Sequence, residues 1–471
     1  MSLNDASSRW QKTGSSRIPF WVYTDAQLYS QELDKIFYGA HWSYVGLQVE
    51  IPDTGDYKLS HIGERQVLMV RDRKKLGSDS KFVAEQSSAA GLPSGSPTKL
   101  ESDPKFFDHG IRVVENRCAH RGVRFCQTPH GNARAFVCPY HQWTYKLNGD
   151  LAGLPFKDGV KDGDAVNGGM PEGFDIKNHG LTKLRVAVLH GLVFATFSDS
   201  VEPLEDYLGP SILPWINRIF QANDGIARKL TLLGYNRQRI PGNWKLMMEN
   251  IKDPYHPGLL HTWFVTFGLW RADQKSRMVM DAHGRHAVMI SRRNESSASV
   301  AVDEAVTQGV TSFKADMALH DDRLLDVMPE AWWKVDDPSS PGTDITPTVT
   351  MITLFPGLII QQQVNSLSTR HIVPRGQGEF DFVWTHFGFA DDTPEMTQRR
   401  LRQANLFGPA GFVSADDGEV IEFSQSGFTQ AGDAGTTLCE LGGTGIEGTE
   451  HMVTETLIRG MYSYWRKVMK L

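Results

Sequence analysis

Cysteine is scarce in this chain, with four in 471 residues. That is too few for a disulfide framework and points to a reducing compartment. Basic charge is not in excess either: 49 Lys and Arg stand against 55 Asp and Glu, for a net charge of −6. This balance gives no nucleic-acid footprint. The longest apolar runs, around 184–197 and 351–360, are too short or too interrupted to cross a bilayer. The N-terminal stretch MSLNDASSRWQKTG is polar and lacks the apolar centre of a signal peptide. No internal repeat and no convincing flavin or dinucleotide fingerprint is present. These absences describe a cytoplasmic protein with neither a membrane nor a nucleic acid as partner. Its length suggests two or three domains.

Against that background, residues 118–141 stand out. Two short loops each offer one thiolate and one imidazole, Cys118 with His120 and Cys138 with His141, in the pattern C-x-H-x17-C-x2-H. Mixed pairs suit a Rieske-type [2Fe–2S] centre, in which one iron takes two sulfurs and the other two nitrogens. The alternative is structural zinc, which more often groups like ligands with like. Each loop carries its own turn former, Gly122 or Pro139. Of the other cysteines, Cys126 lies between the ligand loops and reads as a free structural thiol, and Cys439 falls in no ligand pattern.

A second constellation lies at 249–261, E-N-I-K-D-P-Y-H-P-G-L-L-H. His256 and His261, with a carboxylate from elsewhere, would make the two-histidine, one-carboxylate face of a mononuclear non-haem iron. Residues five apart lie about 140° round a helix axis, so the two imidazoles must converge from the flanks of a distorted first turn. Pro254 and Pro257 suit such a helix start.

The organisation around these motifs is α+β. Thr24 to Gln27 has capping-box form, and Tyr29, Leu33, Ile36 and Phe37 follow at helical spacing. Short β-rich runs at 42–45, 67–70, 111–114, 135–138 and 143–147 predict a small antiparallel domain over 41–180. The segment 74–110, rich in Ser, Gly and Pro, reads as a surface insertion or a partner contact. The second domain takes 1–40 and 181–471. Strands are expected at 287–291, 349–355, 358–364 and 380–387, and helices at 203–208, 394–406, 419–426 and 455–469. An antiparallel sheet flanked by helices in helix-grip manner fits this mix.

With these motifs in place, the chain resembles the large (α) subunits of Rieske non-haem iron aromatic-ring-hydroxylating oxygenases over nearly its whole length. The family pattern C-x-H-R-G…C-x-Y-H-x-W falls on Cys118, His120, Arg121, Gly122, Cys138, Tyr140, His141 and Trp143. E-N-x-x-D-x-Y-H-x4-H falls on Glu249, Asn250, Asp253, Tyr255, His256 and His261. F-G-P-A-G-F…D-D falls on 407–412, Asp416 and Asp417. Two features depart from the pattern: Gln142 stands where many members have Gly, and 74–110 replaces a short turn.

The resemblance implies several things the residues alone do not. Asp417 completes the iron triad with His256 and His261. Asp253 is the bridging, catalytically essential carboxylate, taking a hydrogen bond from His141 of a neighbouring chain and one from His256. Its plain reading is a helix cap. Electrons come from NADH through a reductase and a ferredoxin, and the assembly is α3, or α3β3 with a small β subunit. The stretches NIKDPYHPGLLHTWF, IIQQQVNSLSTRHI and NLFGPAGFVSADDGEVIE place the chain nearest the branch that hydroxylates salicylate to gentisate. Relatives acting on anthranilate, ortho-halobenzoates and terephthalate belong to the same broader group. Dioxygenation of anthranilate or another ortho-substituted benzoate to catechol is the alternative. A pure Rieske electron carrier is the alternative of a different class. For a small aromatic acid, Arg370 and Arg402 are candidate carboxylate donors, against the plain reading of surface salt bridges. Asn250, Met248, Phe407 and Val413 are candidate pocket residues, against plain core packing for the last three.

Overall fold

The computed structural model describes residues 10, 14–72, 110–222, 224–261, 275–292, 322–337 and 340–471. The 74–110 insertion therefore lies outside the described residues, except for Gly110. The chain divides into two compact units. The smaller comprises Gly46–Ser60 and Gln66–Val188; the larger comprises Met1–Val45, His61–Arg65 and Leu189–Leu471. The limits expected from sequence, 41 and 180, differ from these at both ends. Among the described residues no helix is long and apolar enough to cross a membrane.

The smaller unit is antiparallel throughout. One sheet joins β1 (Asp56–Ile62), β2 (Arg65–Arg71), β3 (Ile111–Glu115) and β4 (His130–Asn132) in the order β3-β2-β1-β4. A second joins β5 (Phe136–Val137), β6 (Thr144–Tyr145) and β7 (Leu151–Gly153). Leu68, Val70, Val114, Phe125, Phe136 and Leu151 form its core, and Cys118, Cys126, Cys138 and Trp143 are buried within it. The runs expected at 135–138 and 143–147 shrink to two-residue strands, because the ligand loops use the rest.

The larger unit is built on a seven-stranded antiparallel sheet. Its strands are β8 (Leu230–Ile240), β9 (Lys275–Met280), β10 (Ala287–Arg292), β11 (Val349–Leu354), β12 (Leu358–Gln363), β13 (Ser366–Pro374) and β14 (Phe380–Phe389). Their spatial order is β8-β14-β13-β12-β11-β10-β9. Strands β11 and β12 are buried at every position, so inside–outside alternation is absent there.

The flanking helices are α1 (Ala26–Glu32), α2 (Trp244–Ile251), the single turn α3 (Pro257–Leu260), α4 (Pro394–Phe407), α5 (Phe412–Ala431) and α6 (Thr456–Met469). Asp25, not Thr24, caps α1: its carboxylate accepts from the backbone N–H of Gln27 and Leu28 at 2.8 and 2.9 Å. Thr24 instead closes a preceding helical turn, Trp21–Thr24. The helix expected at 419–426 runs from Phe412. Asp416, Asp417 and Gly418, all weak helix formers, mask its first turns in the sequence.

Helix α2 carries the E-N pair and is held from behind by Glu32 on α1. Lys245 Nζ donates to Glu32 Oε1 at 2.6 Å, and the indoles of Trp244 and Trp465 donate to the same carboxylate at 2.9 and 2.8 Å. Lys245 and Glu32 are both fully buried. Removing one partner of such a pair costs about 3–5 kcal/mol, since the other charge is left unpaired in a dry site.

Candidate metal centres

The two loops of the smaller unit are built alike. The backbone N–H of Gly122 donates to the Cys118 carbonyl at 2.9 Å, and that of Gln142 to the Cys138 carbonyl at the same distance. Each loop is then closed by the cysteine N–H, Cys118 to the Val123 carbonyl and Cys138 to the Trp143 carbonyl, again at 2.9 Å. The fourth residue after each cysteine must turn through the left-handed region: Gly122 has φ 72° and Gln142 φ 55°. The departure at Gln142 is thus a strained residue in an otherwise repeated loop. A left-handed non-glycine costs about 1–2 kcal/mol, and glycine returns part of that as chain entropy. Gln142→Gly is expected to stabilise the unit by about 0.5–1 kcal/mol; an unchanged or lower melting temperature would count against this.

Within the loops the donors face inward. Cys118 and Cys138 are free and buried, and the rings of His120 and His141 lie 4.7 Å apart. His120 stacks on Trp143 at 4.8 Å with the planes 3° apart. Its Nδ1 is buried with no hydrogen-bond partner. Burial, then His141 and Arg121, hold its imidazole below the ordinary range. A neutral ring with an orphaned buried nitrogen fits a metal ligand. Among the described residues the one trio of donors within 4.8 Å of one another lies in the larger unit. The pairing of one thiolate with one imidazole in each loop favours a binuclear centre over zinc. Cys126 packs in the same core, its Sγ directed at the Thr128 carbonyl.

Tyr145 reaches the cluster loop from β6. Its Oη lies 3.1 Å from Cys118 Sγ and accepts from the Ala119 N–H, also at 3.1 Å. With that lone pair engaged, the phenolic hydrogen is free to point at the sulfur. Burial, then Cys118, push the phenol well above its ordinary pKa, so the hydrogen stays in place. A hydrogen bond to a cluster sulfur favours the more negative, reduced state. Tyr145→Phe is expected to lower the reduction potential by about 60 mV, the equivalent of about 1.4 kcal/mol for one electron. Protein-film voltammetry would show it; no shift would mean that the hydroxyl points elsewhere.

The trio in the larger unit is His256, His261 and Asp417. The five-residue spacing is resolved by a single helical turn: His256 stands at the N-terminal end of α3, and His261 leaves at its C-terminal end with φ −91° and ψ 62°. Both Nε2 atoms face one oxygen, Asp417 Oδ1, at 3.6 and 3.3 Å. Each Nδ1 is occupied elsewhere. That of His256 donates to the Asp253 carbonyl at 2.9 Å, and that of His261 to Asp416 Oδ2 at 3.1 Å. With each Nδ1 proton engaged by an oxygen, both rings would present Nε2 to a bound metal.

Charge in this site favours a cation. Burial alone would lower the His256 pKa, but Asp253 and Asp417 outweigh it and raise it to about 10. For Asp417 burial acts upward, and hydrogen bonds from both histidines hold it well below the usual carboxylate range. A divalent ion at the centre would take over the role of the shared proton.

The scaffold fixes Asp417 closely. Asn250 Nδ2 donates to its Oδ1 at 3.0 Å, so Asn250 helps orient the triad carboxylate, while its own Oδ1 is buried without a partner. Gln238 on β8 grips the first turn of α5, exchanging hydrogen bonds with Ser414 Oγ at 2.8 Å and its carbonyl at 3.1 Å. Gly418 is needed for this approach, because a Cβ there would collide with the Gln238 amide.

Asp253 turns back on its own chain. Its Oδ1 accepts from the N–H groups of Tyr255 and His256 at 3.1 and 3.2 Å, and its Oδ2 lies 3.7 Å from His256 Nδ1. The capping reading is thus realised, and the carboxylate also touches a triad histidine.

The remaining candidates separate. Arg402 is corrected: it lies exposed on α4 and pairs with Asp322 at 2.6 Å, off the buried stripe of Arg399, Arg400, Gln403 and Phe407. Arg370 is 2 % exposed, so a surface salt bridge is ruled out for it. Its guanidinium stacks on Trp384 at 3.9 Å and donates through Nε to Gln361. Burial lowers its pKa to about 9, with Asp417 acting the other way. Met248, Phe407 and Val413 are buried. A cavity is bordered by Pro254 and Pro257, which flank His256 in sequence, and by Met278, Met289, Met351 and Gln363. The signal missed in the sequence was Asp416, the acid beside the ligand.

Comparison with known proteins agrees with both centres. A Rieske [2Fe-2S] domain model matches residues 41–163, and a ring hydroxylating alpha subunit (catalytic domain) model matches 227–471. The chain is 58% identical to the large oxygenase component of salicylate 5-hydroxylase from Ralstonia sp, over 98% of this chain and 96% of that one. It is 37% identical to the anthranilate 1,2-dioxygenase large subunit of Burkholderia cepacia, over 96% and 93%. Naphthalene 1,2-dioxygenase from Rhodococcus sp. shares the fold, with a TM-score of 0.69 at 21% identity over 99% and 96% of the two chains. The chain therefore belongs to the alpha subunits of ring-hydroxylating oxygenases, oxidoreductases that pair a Rieske [2Fe–2S] domain with a catalytic non-haem iron domain.

Proposed function

We propose that this chain is the oxygenase component that converts salicylate to gentisate. The observation that carries this reading is the 58% identity to a salicylate 5-hydroxylase component over nearly the full length. In the overall reaction one atom of dioxygen enters the ring at a C–H bond and the other leaves as water. The two electrons come from NADH through a reductase and a ferredoxin. Cys118, His120, Cys138 and His141 would hold the [2Fe–2S] cluster, and His256, His261 and Asp417 the iron. When bound, the cluster supplies single electrons and the ferrous ion activates dioxygen. A small β subunit and an α3 or α3β3 assembly complete the reading.

The chain's own residues suit a small aromatic acid. The cavity bordered by Pro254 and Pro257 is walled by Met278, Met289, Met351 and Met452, and methionines make an adaptable apolar wall for a ring. Arg370 is a buried cation with no carboxylate partner among the described residues. It connects to the cavity through Gln361 and Gln363, which are linked by hydrogen bonds, and makes the region attractive to an anion. Arg370→Gln should lower kcat/KM for salicylate by about 10- to 100-fold, the loss of about 1.5–3 kcal/mol from a charge-assisted contact. Equal kinetics in the variant would remove Arg370 from recognition.

The test of the reading is turnover with purified reductase and ferredoxin, offering salicylate and anthranilate separately. Gentisate from salicylate supports it. Catechol from anthranilate, with salicylate untouched, replaces it with the dioxygenase reading.

A further inference from the structure

We propose that Asp416 is a positioning residue for the mononuclear centre: it fixes His261 and adds the second negative charge that balances a divalent ion there. The inference rests on reading His256, His261 and Asp417 as the iron site.

The two histidines are held by unlike groups. His256 Nδ1 has a neutral backbone acceptor, the Asp253 carbonyl, at 2.9 Å, with the Asp253 carboxylate farther off at 3.7 Å. His261 Nδ1 has the Asp416 carboxylate at 3.1 Å. An ionised acceptor pulls the Nδ1 proton more strongly than a carbonyl does, so electron density rises at the opposite nitrogen. His261 is therefore the stronger donor of the pair. Its side chain is 3 % exposed while that of Asp416 is 30 % exposed. Asp416 thus keeps water contact for its charge while presenting one oxygen to a buried ring. Among the described residues Asp416 is the one hydrogen-bond partner of His261 Nδ1, and losing it would leave an unsatisfied buried donor and a free tautomer.

The local backbone makes this geometry repeatable. Asp416 and Asp417 are consecutive on α5, so they lie about 100° apart round its axis and can address two sides of one histidine. His261 presents Nε2 to Asp417 at 3.3 Å and Nδ1 to Asp416 at 3.1 Å. The Gln238–Ser414 clasp and the close approach at Gly418 hold that turn in place. The plain alternative is that Asp416 is a solvated acid favoured by the N-terminal turns of a helix. It predicts no effect on the metal.

The experiment uses the purified holoenzyme with Asp416→Asn, Asp416→Ala and His261→Ala. Ferrous-iron affinity of the mononuclear site is read by chelator competition, and the nitrosyl electron paramagnetic resonance signal reports the ligand field. The visible spectrum of the Rieske cluster serves as the folding control. Expected is a loss of about 10- to 100-fold in iron affinity for Asp416→Ala, the range for removing a partner of a metal-bound histidine. The isosteric Asp416→Asn, which keeps an acceptor without the charge, should fall between it and the parent. Affinities within about twofold of the parent in the asparagine variant, with an intact cluster spectrum, would overturn the proposal even if the alanine variant failed to fold. Iron retained by His261→Ala would instead sink the triad reading on which it rests.

Discussion

Asp417→Ala should yield a folded, coloured protein that takes up electrons and does not hydroxylate. The reason is local. Both imidazole Nε2 atoms point at Asp417 Oδ1, and the same oxygen is held by Asn250, so this one carboxylate closes the site. Removing it leaves two neutral ligands for a divalent ion and no charge in the ligand set itself. Ring hydroxylation should fall below about one thousandth of the parent rate, since two neutral imidazoles hold a divalent ion poorly and the ion is the source of the chemistry. The smaller unit has its own core around Cys118 and Cys138, and its visible spectrum should be unchanged. Product formation per turnover of NADH, with iron content alongside, checks this. Activity above a tenth of the parent would show that the carboxylate ligand lies elsewhere.

The second large effect is expected at Asp253. Its carboxylate caps the turn entering α3 and lies beside His256 Nδ1, and the proposed role adds a hydrogen bond from His141 of a neighbouring subunit. Asp253→Ala should retain both metals while coupled turnover drops by about 100-fold or more, because a carboxylate joining two ligand imidazoles fixes both rings. Loss of the cap alone would cost about 1 kcal/mol, too little to unfold the unit. Reduction of the cluster should proceed normally, and its reoxidation by dioxygen in a single turnover should slow. If reoxidation keeps its parent rate, the bridge is not on the electron path. If iron is lost as well, Asp253 serves mainly to place His256.

How much of this was legible beforehand follows from where each constraint sits in the chain. The cluster ligands are readable because their chemistry needs two tight loops, and tight loops are contiguous: Gly122, Gln142 and the four donors all fall within 118–142. The histidine pair was readable as residue types but not as geometry. Only the structure shows that α3 is a single turn and that His261 leaves it. Asp417 came from resemblance alone, because no local pattern links it to a helix far upstream.

Arg402 failed for a reason the sequence contains. Arg399, Arg400, Gln403, Ala404 and Phe407 set the buried stripe of α4, and Arg402 lies outside it. Arg370 was harder, because β13 is buried on both faces and alternation carries no signal there. Strands β8 and β13 and helix α2 escaped because polar residues interrupt their patterns. Those residues include Gln238, Arg370 and Asn250, which build or surround the site.

Metal and acid-labile sulfide analysis of the purified protein tests the account most directly. Two separate centres, with Cys118, His120, Cys138 and His141 at one and His256, His261 and Asp417 at the other, predict about three irons and about two sulfides per chain. Zinc in place of iron, with no sulfide released, would contradict it.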